Sequence, residues 1–131
     1  MDEIMEESRL DHLRKVPLFL NLPDEALQVA AAEAHPQSYE KGSFLFYQDD
    51  PAVRIYVVTD GRVKLAQLSE DGSQVIMRVA TAWMMIAVIS LVPGAVYPVS
   101  AEAAGDCRVI YWTQAELQAL LERYPSMALN A

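Results

Sequence analysis

Cysteine is all but missing from this sequence. Cys107 stands alone among 131 residues, which excludes an internal disulfide, a multi-cysteine zinc site and a self-contained iron–sulfur cluster. Histidine is nearly as scarce: His12 and His35 are the only two, and neither lies in a motif that marks it as the base of a nucleophile. No His-x-His cluster is present, and neither histidine is expected in a strand, so the metal chemistry of a cupin-like barrel has no ligands. Positive charge is short too. Ten Lys+Arg against 18 Asp+Glu leave a net −8, so no global field gathers phosphate backbones, and this segment is not a nucleic-acid binder by itself. An enzyme is the class these absences exclude most firmly.

Charge of either sign disappears between Val79 and Ala101. Such a run invites a membrane helix, for which roughly twenty apolar residues suffice. Pro93 and Pro98 each remove a backbone donor, and Ser90 and Ser100 add polar atoms. Only Trp83 to Ile89 is cleanly apolar, too short to span. The N-terminus, MDEIMEESRLDHLRK, is acidic where a secretory signal would be basic and then apolar. These features point to the cytoplasm and to no membrane partner.

What is there is ample apolar material, 53% of the chain, enough for the core of one domain over residues 1–131. Ile4 to Lys15 reads as a short surface helix, and Pro23 opens a second through Ala34, with Asp24 and Glu25 at its positive end. Pro36 closes it, leaving His35 in a loop. Ser43 to Gln48, Arg54 to Thr59, Arg62 to Leu68, Gln74 to Ala80, Val96 to Ala103 and Arg108 to Trp112 read as strands. Asp60-Gly61 and Asp71-Gly72 mark hairpins, because tight turns need positive φ. The expectation is a mainly β chain with flanking helices, its strands forming an antiparallel β-roll of the jelly-roll type. Thr113-Gln114-Ala115-Glu116 forms a capping box for a helix to Tyr124, and Pro125 starts a further helix.

This layout resembles the cyclic-nucleotide-binding-like sensor domain of CRP/FNR-type transcription regulators. Lys41-Gly42, Gln48, the Tyr56-Val57-Val58 strand, Gly61, Val63-Lys64 and Asp71-Gly72 fall at that family's spacing and in its order. LFLNLPDEALQVAAAEA resembles its opening helix pair, and SAEAAGDCRVIYWTQAELQALLERYP its later strands and helix. The resemblance covers nearly the whole chain. One departure is early: the family usually carries Gly after the Gln that stands here as Gln48, where this chain has Asp49.

The larger departure is the phosphate-binding cassette. Members that bind cyclic nucleotides carry a Gly-Glu-Leu-Ala-Leu type segment followed by Arg-(Ser/Thr/Ala)-Ala, in which Glu holds the ribose 2′-hydroxyl and Arg pairs with the phosphate. Counting back from Val99-Ser100-Ala101 puts Tyr97 at the Arg, Ile86 at the Gly and Ala87 at the Glu. A phosphate entering there would lose hydration and meet no cation. Resemblance implies the fold, while cyclic AMP is not the expected ligand.

Met84, Met85, Ile86, Ala87, Val88, Tyr97, Pro98 and Val99 are the expected effector-pocket residues, with Ile89, Leu91, Val92 and Val96 beside them. They can line a cavity for an apolar or aromatic effector, or for haem as in nitric-oxide-responsive relatives, or they can close into a filled core. Haem would need an axial ligand; the candidates are His12, His35, Cys107 and the two cassette methionines, with His12 the one that a mobile segment can bring to the pocket. Tyr97 can offer its phenol to an effector or to a backbone carbonyl. Trp83 and Trp112 read as core anchors, and Cys107 as a small buried hydrophobe.

The expected function is an N-terminal sensor and dimerisation domain. It would report a non-cyclic-nucleotide signal to a helix-turn-helix domain absent from this chain, and DNA would be contacted only through that domain. The segment from Ile86 to Val92 is the expected moving element. The chain stops in what reads as the start of a dimerisation helix, so a homodimer through the C-terminal helix is expected, with Met127 and Leu129 exposed on it. The alternative is a stand-alone degenerate domain acting as a protein-interaction module.

Overall fold

The computed structural model describes residues 9–130. Of the first expected helix, residues 9–13 are helical, and Ile4 and Met5 lie outside the described residues. Pro17–Phe19 form a 3-10 turn, and α1 (Asp24–Glu33) starts after Pro23 with Asp24 and Glu25 in its first turn, as its sequence requires.

Eight strands follow: β1 (His35–Tyr39), β2 (Phe44–Phe46), β3 (Arg54–Asp60), β4 (Val63–Leu68), β5 (Gln74–Ala80), β6 (Met85–Ile86), β7 (Ser100–Ala103) and β8 (Cys107–Thr113). All pair antiparallel, in two sheets ordered β1-β8-β3-β6 and β2-β7-β4-β5. This is the β-roll. Gly61, at φ +84, joins the sheets so closely that a Cβ there would stand 2.6 Å from the Asp106 carbonyl oxygen.

Four expectations need correction. His35 is not a loop residue: it opens β1, opposite Tyr111. HPQSY shows no apolar alternation because β1 is an exposed edge, the one place where Pro36 costs no ladder bond. Val96 to Ala103 is a strand only from Ser100; Pro98 intervenes, and Val96 makes an isolated bridge with Pro51. β6 lies unmarked inside the uncharged run, where no period can be read. Finally, Pro125–Asn130 is a 3-10 helix that buries Met127 completely, leaving Leu129 exposed.

The first sheet separates two cores. Ile55 and Val57 of β3, Met85 of β6 and Ile110 and Trp112 of β8 face the helices. Tyr56, Val58, Ile86 and Val109 face the roll interior and meet Phe46, Val63, Leu65 and Ala101 from the second sheet. Strand alternation makes this division. Trp112 is fully buried, its indole Nε1–H donating to the Ala30 carbonyl at 2.7 Å, which fastens the sheet to α1. Its helix-start motif is present: the Thr113 hydroxyl accepts from the Glu116 amide at 3.2 Å, and the Glu116 carboxylate accepts from the Thr113 amide at 2.8 Å, opening α2 (Gln114–Arg123).

Candidate functional site

The uncharged run folds as a cassette. β6 pairs with β3, the chain turns at Ala87 in the left-handed region (φ +68), and Val88–Leu91 make a 3-10 turn. A non-glycine residue held at positive φ stores strain, of the order of 1 kcal/mol. The turn is fixed at two points: the buried Ser90 hydroxyl donates to the Arg54 carbonyl at 2.9 Å, and Gln118 Nε2 of α2 donates to the Leu91 carbonyl at 2.6 Å. The cassette is thereby tied to both the roll and the C-terminal helix.

Between this turn and the second sheet lies a cavity of about 210 Å³ lined by Phe46, Leu65, Ala87, Val88, Ile89, Tyr97, Pro98 and Val99. No lining residue is charged. Of the expected pocket residues, Ala87, Val88, Tyr97, Pro98 and Val99 are there, and three are not. Ile86 is packed in the roll core, and Met85, on the opposite face of its strand, joins the helix-facing core. Met84 Sδ accepts from the Thr81 amide and hydroxyl at 3.3 Å each. Phe46 and Leu65 escaped sequence reasoning, although both are inward positions of strands that close over the cassette. Tracing alternation on β2 and β4 together with the cassette would have found them.

Tyr97 spends its hydroxyl on backbone. It accepts from the Val53 and Arg54 amides at 3.3 and 3.1 Å, with the Arg54 carbonyl at 3.4 Å. Its ring stacks on Phe46 at 3.9 Å. The Tyr56 phenol is pushed well up by burial and by the neighbouring Tyr39 and Tyr97 phenols, so it stays neutral.

The candidate haem ligands are all elsewhere. His12 stacks on Trp83, 4.5 Å between ring centroids, against the helix-facing core. His35 Nε2 lies 2.9 Å from both Glu116 carboxylate oxygens. Cys107 is buried, and burial, then Asp106 and Asp60, push its thiol up, which leaves it unreactive. No pocket-lining side chain is a His, Cys or Met, so the residues present do not fit axial ligation of haem iron. Among the described residues no cluster of acids, His or Cys is suited to a metal ion, and no helix is long and apolar enough to cross a membrane.

The model of the cyclic nucleotide-binding domain matches residues 36–124. The chain belongs to that family. The N-terminal domain of a transcriptional regulator from Streptomyces coelicolor A3(2) is 30% identical and superposes with a TM-score of 0.80, over 91% of this chain and 83% of that one. The cyclic AMP receptor protein of Thermus thermophilus is 26% identical over 87% of this chain and 53% of its own length. Patatin-like phospholipase domain-containing protein 7 of mouse is 29% identical over 88% of this chain, which spans 8% of that protein. This cyclic nucleotide-binding domain thus covers about half or less of the curated relatives it matches. Its cassette lacks the Gly, Glu and Arg on which the resemblance rests a cyclic nucleotide.

Proposed function

We propose that this domain is the sensor part of a CRP/FNR-type transcription regulator, a non-catalytic cytoplasmic module whose cassette pocket takes a small apolar or aromatic effector in place of a cyclic nucleotide. The wholly uncharged cassette pocket carries the reading. A phosphate placed there without a partner would cost several kcal/mol, about 2–7 for even a neutral polar group left unpaired, whereas an apolar body displaces poorly held water.

Occupancy would act on the Val88–Leu91 turn, whose walls Val88 and Ile89 face the ligand and whose Leu91 carbonyl is held by Gln118. A shift of the turn moves α2, and an effector is effective only to the degree that it binds one arrangement more tightly. In this reading α2 leads into a dimerisation helix, and the DNA is held by a further domain. The likeness to a regulator's N-terminal domain supports that placement.

The test is calorimetric titration with cyclic AMP and with indole as the apolar probe, on this domain and on Val99→Trp, which fills the pocket from its rim. Saturable indole binding that Val99→Trp removes, with no heat from cyclic AMP, is the expected result. Binding of cyclic AMP, or indole binding indifferent to Val99→Trp, overturns the reading. Haemin titrated into the domain and followed by absorbance should give no specific Soret shift.

A further inference from the structure

A second concavity, of about 400 Å³, shares Phe46 and Tyr97 with the cassette pocket, and Arg54 and Asp50 both line it. Arg54 is the terminal inward residue of β3. Its guanidinium carbon stands 4.3 Å from the Tyr111 ring centroid and the group also engages the Tyr56 phenol, which leaves its remaining N–H groups to meet a ligand. Among the described residues neither Arg54 nor Asp50 is in an ion pair. A half-buried guanidinium without a counter-ion is a ready partner for a carboxylate. The rest of the wall is apolar or aromatic, with Tyr47 itself stacked on Phe44 at 4.6 Å. The backbone beneath is set in advance: the Asp49 amide donates to the Tyr97 carbonyl at 2.8 Å, and the Tyr97 amide to the Asp50 carbonyl at 3.0 Å.

We infer that this groove binds an apolar or aromatic α-amino acid, its carboxylate on Arg54, its ammonium on Asp50 and its side chain against the Phe46, Tyr47 and Tyr97 rings. One cation and one anion on an aromatic wall leave the groove without net charge, so a plain anion is attracted by Arg54 and repelled by Asp50. A zwitterion satisfies both. The ammonium gains further from the face of Tyr47.

The probe is L-phenylalanine, followed by amide chemical shifts in ¹H–¹⁵N NMR spectra. Saturating shifts at Asp50, Val53 and Arg54 are expected, with 3-phenylpropionate and phenethylamine each weaker by about tenfold or more, the usual loss with one charged hydrogen bond. Arg54→Gln should abolish the shifts. Asp50→Asn, on the exposed rim and safe for folding, should bring phenylalanine down to the level of 3-phenylpropionate. Val99→Trp should leave binding intact, which separates this groove from the cassette pocket. No saturable shift, equal binding of 3-phenylpropionate, or loss in Val99→Trp would each overturn the assignment.

Discussion

Strands β3 and β5 have the same length and almost the same apolar content, yet β3 is buried through Ile55–Val58 while β5 exposes six of its seven residues. The difference is what stands on either side. β3 lies between β8 and β6, with helices against one face and the roll interior against the other. β5 is the outer strand of a sheet, and Val75, Ile76, Met77 and Val79 project from it half in solvent. Apolar composition by itself therefore does not locate the core; the number of covered faces does.

The largest break in that comparison comes from truncating one anchor in each place. Trp112→Ala empties a fully buried site and strands the Ala30 carbonyl, so a loss of about 3–5 kcal/mol is expected. Met77→Ala should change stability by less than about 0.5 kcal/mol, as at most surface positions. Urea unfolding of both variants checks the pair, and equal losses would mean that β5 is covered.

The two hairpins extend the contrast. Gly61 and Gly72 both sit at φ +84, but only at Gly61 would a Cβ meet other atoms, among them Cys107 Cβ at 2.8 Å. Gly72→Ala should cost about 1–2 kcal/mol, the left-handed penalty alone. Gly61→Ala carries that penalty and must also push β8 away, so its midpoint should fall clearly further. Thermal unfolding of the two variants decides it.

A smaller, pH-dependent difference concerns the end of β8. Burial tends to raise the Glu116 carboxyl, but the Thr113 amide and the His35 ring outweigh it and hold the group below its ordinary value of 4.5. A depressed acid contributes stability that is complete above the unfolded value and is lost as pH falls through the folded one. Wild type should therefore lose stability below about pH 4.5 more steeply than Glu116→Gln, which removes this titration. Parallel profiles would mean that the capping box contributes nothing through charge.

Motifs with local physics were legible in the sequence: the capping box at Thr113 and Glu116, the glycine turns, and the Pro23 start of α1 all depend on neighbours within a few residues. The roll followed from regular strand spacing. What escaped depended on distant partners. β1 has no period because it is an exposed edge, and only its pairing with Val109 and Tyr111 at the far end of the chain makes it a strand. β6 is masked because both its faces are buried, so Met85 and Ile86 look alike in sequence while facing different cores. The pocket was read from the cassette alone, which brought in Met84, Met85 and Ile86 and left out Phe46 and Leu65 of the strands that close over it.

The finest distinction lies between two strained turns. Asp49 and Ala87 both hold left-handed φ, at +72 and +68, and glycine at either should relieve about 1 kcal/mol. Asp49 follows β2, outside the cassette, so Asp49→Gly should raise the unfolding midpoint and leave indole affinity as it was. Ala87 lines the pocket and caps the Val88–Leu91 turn. Ala87→Gly should give a similar gain in stability but weaken indole binding, because a freer turn must be ordered on occupancy. If both variants bind indole like the wild type, strain at Ala87 is merely tolerated by the fold; if only Ala87→Gly changes, the cassette turn is the element that a ligand sets.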